Sequence, residues 1–460
     1  MKKRMCKIMA LAMTAAMVVP MAAQTTAFAA DDKEITYWNI AVESPDKDIV
    51  TAAVDKFNKE TESGYTVNSV AIQNDTYKEK LVIAMSSGEC PDMYSSWSGG
   101  PMYEYIDSGF AQPIDDLLDQ SDVKDKLLDA AIEQGSYNGH VYAIPYLNVS
   151  LAGIFYNKDM FKQYGLEEPK TLADLENICA TLKENGITPF ALANGSKWTG
   201  SMYFMSLAAR YGGLEPFQNA VAGTGKFTDD CFIKAGEKIQ EWVKNGYFPD
   251  GVNSLSEDDG QAKQLMYQET AGMLLCGSWY TGTFQTDSEE FYQKIGWFPF
   301  PAIDDSDADP TIQIGTVGDQ FISFNCEGDK LAAAFECAAD HLSDEVEDMI
   351  YSTGKIAPVK DAGDHIKDPV VKEIFDAAQE ASSIQLWYDQ YLPTSVASAH
   401  LDGLQEVFGL TKTPQEAQEE MQKAMDEYLS TKSDSGAADD TAEEATDDAA
   451  ADDAAADDAE

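Results

Sequence analysis

From residue 34 onward the chain alternates short runs of β-forming residues with longer amphipathic ones, and this alternation restricts the fold more than any other feature. Ile35-Thr36-Tyr37-Trp38 is strand-like, 49–57 repeat apolar residues at helical spacing, 65–72 alternate, 77–85 are again helical, and 93–97 form a short run after Pro91-Asp92. Strand, helix, strand, helix, strand predicts a sheet of mainly parallel strands covered by helices. A second section repeats the theme. Strands are expected at 141–146, 153–156, 189–192, 273–276, 295–299 and 321–324, and helices at 159–164, 198–211, 231–245, 330–342, 369–381, 395–408 and 414–431. Thr171-Leu172-Ala173-Asp174 reads as a capping box opening the helix to Lys183.

The two ends are of a different kind. Residues 1–29 have the order of an export signal: basic Lys2, Lys3, Arg4 and Lys7, an apolar stretch to about Ala23, then Ala27-Phe28-Ala29 as a cleavage site. Cys6 precedes that stretch and the next cysteine is Cys90, so a lipid-anchor cysteine is missing and release or non-lipid retention is expected. Residues 433–460 contain only Ser, Asp, Gly, Ala, Thr and Glu, a composition that predicts a disordered acidic tail. The roughly 400 residues between suffice for two α/β lobes. The formal net charge of -48 argues against nucleic acid or an anionic membrane surface as partner. None of the cysteines forms a C-x-x-C, and those in apolar runs are expected to pack as small hydrophobes.

Catalytic and cofactor motifs are incomplete or missing. His140, His341, His365 and His400 lack metal-ligand spacing. Gly223-Thr224-Gly225-Lys226 lacks the earlier glycine of a phosphate loop and is followed by Phe227, and no G-x-S-x-G occurs. Asp305, Asp307 and Asp309 imitate a calcium loop, but Pro310 and Thr316 stand where it needs glycine and glutamate. No cofactor, metal or catalytic residue is therefore assigned.

What the chain does have is aromatics where strands end. Open α/β sheets bind ligands beyond the carboxyl ends of their strands, and Trp38, Trp97 and Trp279 sit at such ends. In TAGMLLCGSWYTG (270–282) the apolar run stops at Gly277 and the indole follows two residues later. The stretches MSSGECPDMYSSWSG (85–99), MYEYIDSGFAQPIDDLL (102–118), VYAIPYLNVSLAGIFYNKDMFKQYGLEEPKTLADL (141–175), QETAGMLLCGSWY (268–280) and IGWFPFPAID (295–304) resemble, in the same order, the extracellular solute-binding proteins of ABC importers, in the maltose- and oligosaccharide-binding branch.

That resemblance implies a two-lobed periplasmic-binding-protein-like α/β fold of type II with the ligand in the interlobe cleft. Lobe one would comprise 30–147 and 320–358, and lobe two 148–319 and 359–432, with crossings near 146–150, 317–321 and 354–360. It also implies an oligosaccharide ligand, ABC permease subunits as partners, hinge closure and a monomer.

A pyranose has an apolar face and a ring of hydroxyls, so it suits aromatic platforms edged by carboxylates and amides. The resemblance makes Trp97, Trp198 and Trp279 stacking residues. Trp38, Glu43, Tyr146, Asp319, Trp387, Asp389 and Gln390 complete the expected ligand set, while Trp242 and Trp297 fall in apolar helix and strand patterns and are expected to be structural. An exported glycoside hydrolase would use the same residue types, and a polyamine binder would use them through cation–π contacts.

Overall fold

A computed structural model of the protein describes residues 33–450, with side chains to residue 432. The expected export signal lies outside the described residues. In chain order the strands are β1 (Glu34–Asn39), β2 (Thr66–Ala71), β3 (Met93–Ser96), β4 (Ser136–Tyr137), β5 (His140–Val141), β6 (Ala143–Tyr146), β7 (Val149–Asn157), β8 (Thr188–Phe190), β9 (Ala271–Gly277), β10 (Ile295–Pro299), β11 (Gln313–Val317), β12 (Gln320–Phe324) and β13 (Ile384–Gln385). One large sheet has the order β2-β1-β3-β12-β6 and a second β13-β11-β7-β9-β8, with β10 also on β7, while β4 and β5 pair as a separate two-stranded ribbon. The two large sheets are those of two lobes.

Both sheets are mainly parallel, as expected, with one reversed strand in each: β12 in the first and β7 in the second. β1 pairs in parallel with β2 and β3, and β9 with β8, as strand–helix–strand units require. β12, however, runs antiparallel to β3 and β6, and β7 runs antiparallel to β9, β10 and β11. The reversed strands are those that carry the chain between the sheets. β6 passes into β7 through Leu147 and Asn148, and β11 passes into β12 through Gly318 and Asp319, so the two crossings lie side by side with Tyr146 opposite Gln320 and Val149 opposite Val317.

A third segment braces this ribbon. Val149 N–H donates to the Ile356 carbonyl at 2.6 Å, and Ile356 N–H donates to Asn148 Oδ1 at 2.8 Å. Leu128 N–H in turn reaches the Pro358 carbonyl at 3.0 Å.

The helices follow their local signals. Asp46–Glu60 buries Ile49, Val50, Ala53, Val54 and Phe57, one face at helical spacing. The Thr171 capping box forms as predicted, with Thr171 and Asp174 exchanging side-chain and backbone bonds. The final helix runs Pro414–Ala450, so the backbone continues as helix where composition suggests a disordered tail. Alanine, the strongest helix former, recurs throughout that stretch. The six described cysteines are free thiols, five of them buried.

Candidate functional site

The concavity between the sheets is lined from both lobes, and the loops after strands supply most of its wall. Eight of the ten residues singled out from sequence line it: Trp97, Trp198, Trp279 and Trp387 with Glu43, Asp319, Asp389 and Gln390. Each arrives by a local device. Trp97 follows β3 directly, Trp198 opens the helix Trp198–Gly212 after Lys197 with its positive φ of 63°, and Trp387 caps the short helix Tyr388–Tyr391.

Trp279 caps the helix Tyr280–Asp287 just beyond β9. A Cβ on Gly277 would collide with the Trp279 ring, so the glycine is the space into which the indole folds back. On the far side of the same turn, Ser278 Oγ donates to the Val149 carbonyl at 3.3 Å and Thr281 Oγ1 to the Gly354 carbonyl. One turn therefore ties an aromatic of the cleft to the crossing segments.

Trp198, Trp279 and Trp387 form one cluster, with ring centroids 6.0 Å apart for the first pair and 5.9 Å for the second, at 58° and 69°. Trp97 lies across from them in the other lobe, edge-on to Tyr77 at 5.9 Å. Lys78 Nζ sits 5.0 Å from the Trp97 ring centroid and 3.3 Å from Asp389 Oδ2, so a lobe-one cation spans to a lobe-two acid through the cleft.

The polar wall keeps unused hydrogen-bonding capacity. Asp319 Oδ1 and the Trp198 indole N–H are buried without a partner. Burial pushes the Asp319 carboxyl up to about 7, against the pull of nearby Lys355. Glu257, which accepts from the Tyr280 hydroxyl, is likewise pushed up to about 7 by burial. Lys355 is itself buried and paired with Asp46.

Two expected ligand residues lie elsewhere. Tyr146 is fully buried behind the crossing; its hydroxyl donates to Gln320 Oε1 at 2.9 Å and lies 3.1 Å from the Tyr37 hydroxyl, so Gln320 faces the cleft and Tyr146 holds it. Strand alternation puts neighbours on opposite faces, and the sequence does not reveal which parity faces the cleft. Trp38 packs with Tyr77, Leu81, Met85 and Tyr94 under the helix Asn74–Ser87. Trp242 and Trp297 are core residues, at 0% and 2% exposure.

Sequence reasoning missed Lys78, Lys263, Lys355, Glu257, Asp258 and Tyr280, all in the wall. Tyr280 adjoins Trp279 in TAGMLLCGSWYTG, whereas Glu257, Asp258 and the lysines carry no motif or spacing that marks them in the sequence.

A family model described as bacterial extracellular solute-binding protein matches residues 41–339. An uncharacterised ABC transporter extracellular-binding protein of Pyrococcus horikoshii is 32% identical over 228 residues, covering 49% of this chain and 50% of that protein. A multiple sugar-binding protein of Streptococcus mutans is 30% identical over 178 residues, covering 36% and 39%. The chain thus spans about half the length, or less, of these curated relatives.

Among solved structures, one from work on xylan utilization by the thermophilic bacterium Caldanaerobius polysaccharolyticus matches at TM-score 0.78 and 29% identity, over 85% of this chain and 99% of that one. A chitin oligosaccharide binding protein has the same fold at TM-score 0.78 and 24% identity, over 86% and 98%. Among the described residues no helix is long and apolar enough to cross a membrane.

Proposed function

The chain belongs to the bacterial extracellular solute-binding protein family, and from that membership we propose that it captures a neutral carbohydrate, an oligosaccharide, in its interlobe cleft and delivers it unaltered to the transmembrane subunits of an ABC importer. Lobe one would be 30–147 with 320–358, and lobe two 148–319 with 359–432, closing about the crossing segments. The protein would act as a monomer outside the cytoplasm, without catalysis.

The observation that carries this reading is the indole cluster of Trp198, Trp279 and Trp387 facing Trp97 across a cavity whose wall holds unpartnered polar atoms. Flat rings supply platforms for the apolar face of a pyranose, and Asp319 Oδ1, the Trp198 N–H and the Gln320 amide supply acceptors and donors for hydroxyls. The sugar-binding names among the relatives and the solved structure at 29% identity support the same class.

A polycation is the weaker candidate, because Lys78, Lys263 and Lys355 already occupy the wall and pair with Asp389, Glu43 and Asp46. The test is a thermal-shift panel of xylo-, chito- and malto-oligosaccharides beside spermidine, with chromatography of the recovered sugar. A sugar at one hundred times its dissociation constant stabilises the native state by about 2.7 kcal/mol and raises the melting temperature. Stabilisation by spermidine alone, or recovery of cleaved sugar, would refute the proposal.

A further inference from the structure

The cavity between the lobes, open on one side, measures about 260 Å³, at or below the roughly 300–1,000 Å³ of sites that envelop a drug-sized ligand. An oligosaccharide longer than a few rings must therefore leave it. Next to the cavity lies a second, more open concavity of about 700 Å³, and the two share Val42, Glu43, Ser44 and Lys263 as a common rim.

That rim is closed by a single side-chain pair that parts easily. Glu43, with its side chain 67% exposed, approaches Lys263 at 3.5 Å from the opposite lobe. An ion pair so open to water is weak. Lys263 stays put when it parts, because Asp287 holds it at 3.0 Å. Asp287 also accepts from the Tyr267 hydroxyl at 2.7 Å, and Tyr267 is wedged edge-on against Phe284 and Phe291 at 5.9 and 4.9 Å. The floor beyond the rim is thus preorganised, with Gln264 and Thr286 exposed beside it and Lys47, also exposed, at its edge as a hydroxyl donor.

We propose that this second concavity is an exit subsite, in which a linear neutral oligosaccharide of three or more rings lays the rings that extend past the Glu43–Lys263 pair from the tryptophan cluster. The inference rests on the carbohydrate reading of the cleft and adds the length and direction of the ligand.

Calorimetry with xylo-, chito- and malto-oligosaccharides of two to six units tests it, using the full chain and two variants at exposed groove positions, Thr286→Trp and Gln264→Trp. In the series that binds, affinity should rise at least tenfold from two units to four or more. At least one bulky variant should abolish that gain and leave the two-unit sugar within twofold of wild type. Full affinity already at two units, or a length gain that survives both variants, overturns the exit subsite while leaving the carbohydrate reading intact. Failure of all three series to bind overturns the reading itself.

Discussion

At the scale of single residues, the cleft is made by pairs in which one partner clears or fixes space for the other. Gly277 is the space into which the Trp279 ring folds, so Gly277→Ala should displace the indole, weaken sugar binding severalfold and cost about 1–3 kcal/mol of stability, read by calorimetry and urea melts. Lys78 illustrates competition. It occupies the face of Trp97 and bonds Asp389, so a ligand stacking on Trp97 must first displace it. Lys78→Met should tighten sugar binding severalfold; weaker binding would instead make Lys78 a ligand contact. Trp279 was legible as a site residue because a large aromatic after a strand-ending glycine has no periodic pattern to join. Tyr146 was misplaced for want of strand parity, and Glu257 was invisible because only tertiary packing buries an acidic loop.

At the scale of elements, local periodicity located strands and helices whose apolar residues recur at a fixed spacing, such as β1 and the helix Asp46–Glu60, but passed over the shorter amphipathic helix Asp344–Ser352. It did not reveal β11, whose sequence QIGTV mixes glycine and polar residues yet is buried throughout. Nor did it reveal that the crossing strands run antiparallel, since direction is set when the chain returns from the other lobe. The Thr171 capping box is a purely local feature, and Thr171→Ala should lower unfolding stability by about 1 kcal/mol without altering ligand affinity. Gly99 and Gly100 mark a less local demand. A Cβ on either would strike the backbone at Gln390–Leu392, where the lobes touch.

At the scale of the whole molecule, closing two acidic lobes over a cleft has a pH signature. Burial holds Asp319 and Glu257 at about 7, above the ordinary carboxyl value near 4. The native state therefore binds more protons than the unfolded chain between those values, and stability falls as pH rises through 7. Buried His341 and His400, pushed down by burial to about 4 and about 3, act in the opposite sense below about 6.5. The carboxyl effect should outweigh the histidine effect between about pH 6.5 and 8. The melting temperature should fall across that window, and fall less in Asp319→Asn.

The account as a whole depends on the indole cluster gripping the ligand. Calorimetry of the best-binding oligosaccharide against wild type, Trp279→Ala and the core control Trp242→Phe tests this most directly. The account predicts at least tenfold weaker binding for Trp279→Ala at a retained cooperative melt and wild-type affinity for Trp242→Phe; unchanged affinity in Trp279→Ala would contradict it.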